Sequence, residues 1–180
     1  MRNLGITPDS RLAEIAARQH GVVTIAQLAE CGFDRWAVGR RVQNGRLHRL
    51  HRGIYAVGHT ALPLRGLWLA AVLACGEGAL LSHRSAATLW GMLATSDPLI
   101  DVIVPRTNAR RSTARIRVHH GIRDGTEHHG IPVTSPRCTL DDLEAAKIPR
   151  WQLRKAMEVA QRLGETVTPQ GPRSPLERPS

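Results

Sequence analysis

Polar caps and apolar stripes alternate along the first part of the chain and predict three short helices. Thr7-Pro8 reads as an N-cap with proline at the first helical position. Leu12, Ile15 and Ala16 then share one helical face, and Gly21 ends the segment. Thr24 and Gln27 form a capping box, with Val23 and Leu28 as its hydrophobic staple, and open a helix that reaches Cys31. Asp34 caps a third helix over 35–44, which Gly45 stops. Val38 and Val42, four apart, are expected on its core face. Segments 46–50 and 54–57 follow as two strands around a His51-Arg52-Gly53 turn. Leu47 and Leu50 share no period-2 face, which leaves the hairpin register open. Three helices with a tight turn between the last two, then a hairpin, make a winged helix-turn-helix over 7–58.

A second unit is expected over 62–164. Segment 65–75 is apolar nearly all round and reads as a buried helix. A short strand over 79–81 precedes a helix capped by Ser82 and stopped by Gly91. Segments 99–104, 115–119 and 131–134 read as strands, the middle one turning Ile116 and Val118 inward. Ser135-Pro136 opens a helix to residue 146, and Pro149 another to residue 163. Residues 165–180, with four prolines and no apolar period, read as a disordered tail. The fold class is α+β, a winged helix-turn-helix followed by a small mixed α/β domain.

Charge changes this picture through its placement. The chain of 180 residues carries a net +10 with pI near 11.2. Only Lys147 and Lys155 among its 25 Lys and Arg are lysine. No carboxylate falls between Asp34 and Glu77, a stretch that holds Arg35, Arg40, Arg41, Arg46, Arg49, Arg52 and Arg65. A second acid-free block carries Arg106, Arg110, Arg111, Arg115, Arg117 and Arg123. A genome-wide Arg bias would not distribute acids so unevenly. A basic helix joined to a basic ribbon suits duplex DNA. Arg35, Trp36, Gly39, Arg40 and Gln43 are expected on the outward face of the third helix, where Arg reads guanine and Gln reads adenine. Arg41 is assigned to the same DNA-binding set. Trp36 either packs on sugar or a thymine methyl, or anchors the helix in the core. Arg46, Arg49 and Arg52 are expected to grip phosphates, with His51 adding charge below about pH 6.5. The second basic block is left open between DNA, an acidic partner and a solvated face.

Other chemistry has little support. Cys31, Cys75 and Cys138 are odd in number and far apart, which suits buried free thiols in a reduced cytoplasm. No signal peptide is read, and the longest apolar run is too short for a bilayer. His119-His120 and His128-His129 have no ligand partners at metal-binding spacing, so no metal or cofactor is expected. No Asp or Glu is followed two residues later by Lys, as a restriction-type nuclease would need. Ser82-His83 reads as a helix cap and its neighbour, and Asp101 as a lone acid on a strand. No catalytic residue is assigned.

The run Gly45-Arg46-Leu47-His48-Arg49-Leu50-His51-Arg52-Gly53-Ile54-Tyr55-Ala56-Val57-Gly58-His59 resembles the AbiEi family of type IV antitoxins. So do Arg65-Gly66-Leu67-Trp68-Leu69-Ala70-Ala71-Val72 and Leu81-Ser82-His83-Arg84-Ser85-Ala86-Ala87-Thr88-Leu89-Trp90-Gly91. Gly130-Ile131-Pro132-Val133-Thr134-Ser135-Pro136, with Thr139-Leu140-Asp141-Asp142-Leu143, is similar to the same family's later strand-to-helix segment. The resemblance covers roughly 10–163. It implies a DNA-binding autorepressor of its own operon, acting as the antitoxin of a toxin-antitoxin system. The implied toxin is a nucleotidyltransferase-like protein, countered without direct contact being required, and the reading allows a homodimer on operator DNA. Gly39 departs from the family, whose members usually carry a bulkier or basic residue there. Ser174-Pro175-Leu176-Glu177-Arg178 is similar to the start of a very-short-patch-repair-like endonuclease domain that many relatives carry and that is expected to be missing here. Two other readings stay open: a DNA-targeting remnant of a larger endonuclease-like protein, and a protein-interaction module with an acidic partner.

Overall fold

The fold is described from a computed structural model, over residues 7–94 and 97–164. The expected tail and Ser174–Arg178 segment lie outside the described residues. α1 (Pro8–Arg18) starts as its sequence predicts: Thr7 Oγ1 accepts from the Ser10 amide at 3.1 Å. β1 (Val22–Thr24) leads into α2 (Ile25–Glu30). The Thr24–Gln27 capping box is reciprocal, with bonds of 3.1 and 2.9 Å. α3 (Arg35–Gln43) is capped by Asp34, whose Oδ1 accepts from the Ala37 amide at 2.6 Å. β2 (Leu47–His51) and β3 (Ile54–Val57) form the wing around Arg52-Gly53.

The wing is wider than a hairpin. β1 pairs with β3 antiparallel, so the sheet has the order β1-β3-β2. β1 went unpredicted because the staple reading had already used Val23. Both faces of this sheet are covered. Val23, Leu47 and Tyr55 join Leu12, Leu28, Phe33 and Val38 in one core. Val22 and Ile54 belong to the core of the second unit, against which Leu50 packs. Leu47 and Leu50 therefore serve different cores, which is why they share no face. A bulge between Arg49 and His51 shifts the register at the end of β2.

α4 (Leu64–Cys75) spans the junction and contacts all three wing strands as well as the second sheet. Gly66 lets it approach, since a Cβ there would lie 2.7 Å from the His20 carbonyl oxygen. The rest of the second unit comprises β4 (Leu80–Leu81), α5 (His83–Leu89), β5 (Ile100–Val104), β6 (Ile116–His120), β7 (Gly125–His128), β8 (Ile131–Thr134), α6 (Pro136–Ala145) and α7 (Arg150–Arg162). The strands form a mixed sheet in the order β6-β5-β4-β8-β7. β5 and β6 are parallel, as are β4 and β8; β4–β5 and β7–β8 are antiparallel. α5, α6 and α7 pack in sequence through Ala87, Leu140, Leu143, Ala156 and Ala160. Edge strand β7, Gly-Thr-Glu-His, was not predicted because it carries no apolar alternation.

Candidate nucleic-acid interface

α3 presents a continuous polar face built by its period of 3.6 residues. Arg35, Trp36, Gly39, Arg40 and Gln43 are all exposed on it. Trp36 is 80% exposed, which rules out the core-anchor reading. Nothing lies within 4 Å of a Cβ built on Gly39, so this stretch of α3 is open to close approach. Asp34, the nearest acid in sequence, has one carboxylate oxygen committed to the helix N-terminus. The exposed guanidinium groups of Arg35 and Arg40 have no ion-pair partner among the described residues.

Two expectations about α3 are corrected. Val38 is buried as predicted, but Val42 is 39% exposed. Its place is taken by Arg41, assigned from sequence to the DNA-binding set. The Arg41 side chain is only 18% exposed. Its guanidinium lies 4.3 Å from the Phe33 ring centroid, and Nη2 pairs with Asp9 of α1 at 2.9 Å. The aliphatic stem covers the core while the charge is answered locally. Arg41 joins α1 to α3 and offers no free charge to a ligand.

The wing brings the remaining basic residues together. Arg46, Arg49 and Arg52 are exposed, Arg52 at the β2–β3 turn. Arg49 lies over the Tyr55 ring at 6.0 Å, the outer limit of a cation–π contact. His51 departs from expectation. It is partly buried against the second unit, and burial first, then the nearby Arg110 guanidinium, lowers its pKa. It is therefore a poor source of positive charge at neutral pH. His48 lies with Nε2 3.3 Å from the Gly58 carbonyl oxygen.

A buried polar cluster in the second unit was not anticipated. Asp101 on β5 is 1% exposed and accepts from His119 Nε2 at 2.9 Å and Arg117 Nη1 at 3.2 Å. Asp142 on α6, also 1% exposed, accepts from Arg123 Nε at 2.9 Å. The His83 and His119 rings stack at 3.7 Å between these two carboxylates. His83 has φ of +48°, and its pKa is lowered, mainly by burial, with Asp142 opposing. Sequence alone could not find this cluster, because the parallel β5–β6 register places Arg117 opposite Asp101. The arrangement is not a catalytic triad: Ser82 Oγ and Asp142 Oδ2 both approach His83 at the same nitrogen, Nδ1, at 3.1 and 3.5 Å. Among the described residues no group of three or more His, Cys, Asp or Glu has the geometry to hold a metal ion. The cluster ties β5, β6, α5 and α6 together.

The fold and the surface define a winged helix-turn-helix protein with an attached α/β unit. Residues 10–58, from within α1 to the end of the wing, match the family described as transcriptional regulator, AbiEi antitoxin. That match bears out the resemblance over the first unit, where the Gly45–His59 motif falls, and does not extend to the later motifs. Among solved structures, the chain is similar to the RV2827C protein from Mycobacterium tuberculosis, known from a crystal structure. The two are 19% identical with a TM-score of 0.42, over 88% of this chain and 78% of that one. No curated protein matches the chain. Among the described residues no helix is long and apolar enough to cross a membrane.

Proposed function

We propose that the chain is a DNA-binding transcriptional regulator that represses its own operon and serves as the antitoxin of a type IV toxin-antitoxin pair in the cytoplasm. The observation that carries this reading is the outward face of α3, with Arg35, Trp36, Arg40 and Gln43 exposed inside the segment that matches the regulator family. Arg40 and Gln43 lie one helical turn apart, a spacing that lets two side chains reach neighbouring base pairs in one major groove. Arg46, Arg49 and Arg52 supply phosphate contacts from the wing, and Gly39 admits the sugar-phosphate backbone or a base edge beside Trp36. A homodimer would bind two half-sites with the same surface. The partner toxin in this reading is nucleotidyltransferase-like, and countering it does not require direct contact.

The test has two arms. Gel shifts with DNA from upstream of the gene should show a specific complex that Arg40→Ala with Gln43→Ala abolishes. Co-expression with a neighbouring nucleotidyltransferase-like gene should restore growth. A complex untouched by the double substitution would reject the assigned face, and failure of rescue would reject the antitoxin role. Mg²⁺-dependent cleavage of DNA by the purified chain would make it an enzyme and contradict both this reading and the alternative of a DNA-targeting remnant that has lost its catalytic domain.

A further inference from the structure

Between the wing and the second unit lies a cavity of about 500 Å³. Its walls are apolar: Leu50 from β2, Leu64 and Leu67 from α4, Leu93 after α5, and Leu99 and Ile100 at the start of β5. Volume, apolar lining and position at a junction between units are those of a small-molecule site. Leu50 and His51 both reach it because the bulge at the end of β2 turns consecutive residues to the same side. Its lining includes three arginines and one acid. Arg84 and Arg115 line it and have no ion-pair partner among the described residues, while the guanidinium of Arg49, a third lining residue, lies over the Tyr55 ring. The acid on the rim, Asp97, is already engaged. Its carboxylate faces Arg117 at 3.5 Å and accepts from the Leu99 amide at 2.9 Å. The hydroxyls are engaged as well: Thr88 donates to the Arg84 carbonyl at 2.9 Å, and Ser85 accepts from the Asp101 amide at 2.9 Å. What remains unsatisfied is apolar surface and cationic donors.

We propose that this cavity binds a small anionic amphiphile, an apolar chain or ring bearing one carboxylate, sulfonate or phosphate, held through its head by Arg84 and Arg115. The site stands on the cavity alone.

Calorimetry on the full chain, without DNA, tests the site using decanoate and 8-anilinonaphthalene-1-sulfonate as probes, with decyltrimethylammonium as the cationic control. Saturable binding of both anions is expected, with none of the cation. Arg84→Gln with Arg115→Gln, at rim positions outside the hydrophobic cores, should weaken decanoate by at least about tenfold, the loss expected for one charge-assisted hydrogen bond. Leu67→Trp, which fills the cavity, should also displace both probes. Absence of saturable binding would overturn the proposal, as would equal binding of the cation or retention of decanoate affinity by both variants. Because the calorimetry contains no DNA, its result is independent of whether the regulator reading holds.

Discussion

Arg40 and Arg41 are adjacent in sequence but are predicted to fail differently when truncated. Arg41→Ala removes an ion pair with Asp9, a cation–π contact with Phe33 and the cover its stem gives the first core. Asp9 is 64% exposed, so solvent screens the pair and its share is about 0.2–1 kcal/mol. The contact at 4.3 Å to a buried ring adds roughly 0.5–1 kcal/mol. Together these give about 1–2 kcal/mol, or a fall in Tm of roughly 3–6 °C for a chain of this length. Asp9→Ala should lower Tm as well, since it also removes an acid from the first turn of α1. The double variant should lose less than the sum of the two, by the coupling of the pair. Arg40→Ala should leave Tm within about 1 °C, as expected for a free surface residue. It should instead weaken specific DNA binding by about 1–3 kcal/mol, the loss expected for one base contact, with little change in the slope of log affinity against log salt. Thermal unfolding and fluorescence polarisation between 50 and 200 mM KCl read the two effects separately. An Arg41→Ala protein with wild-type Tm and a flattened slope would refute the assignment of Arg41 to the α1–α3 junction.

Other positions give equally distinct expectations. Trp36→Ala should reduce DNA affinity with no loss of Tm, because the indole is 80% exposed; a drop of several degrees would mean that it is a core residue. Gly66→Ala should lower Tm despite its higher helix propensity of roughly 1 kcal/mol, since overpacking against the His20 carbonyl costs about 1–3 kcal/mol. A rise in Tm would show that α4 does not sit this close to the α1–β1 turn. Asp101→Ala should be the most damaging, at about 3 kcal/mol, because it leaves Arg117 and His119 facing a buried gap; urea unfolding within 1 kcal/mol of wild type would contradict that. Stability should also fall with acid. His51, His83 and His128 all have folded-state pKa values below their unfolded value near 6.5. The unfolded chain therefore takes up protons first, and stability present above pH 6.5 is lost as the pH drops through the folded values. His83→Asn, which tolerates the left-handed backbone, should make Tm less sensitive between pH 7.5 and 5.5; an unchanged acid response would dismiss this role.

Local chemistry was the most legible part of the chain. Thr7, Thr24, Asp34 and Ser135 cap helices where their side chains and the following residues predict. The outward face of α3 was legible too, because five polar or small residues at helical spacing have few other places to go. What escaped depends on partners distant in sequence. Val42 and Arg41 compete for the inner face of α3, and Arg41 wins through Phe33 and an aspartate 32 residues away. β1 is three residues long and becomes a strand only because β3 is there to receive it. Asp101 looks solitary until β6 aligns beside β5. His51 looks like a free wing histidine until the second unit closes over it and brings Arg110 near. Such features are set by sheet register and by the packing between units, neither of which leaves a periodic mark on the sequence.

The central claim is that α3 and the wing form one DNA-binding surface. It is tested most directly by the salt dependence of binding to the upstream DNA for the wild type and for a variant with Arg35, Arg40, Arg46 and Arg52 changed to Ala, both confirmed folded. The account predicts a wild-type slope steeper than that of the variant by roughly 2, about 0.9 for each phosphate left without Arg46 or Arg52, together with a loss of specific affinity from Arg35 and Arg40. Equal slopes, with affinity unchanged, would contradict it.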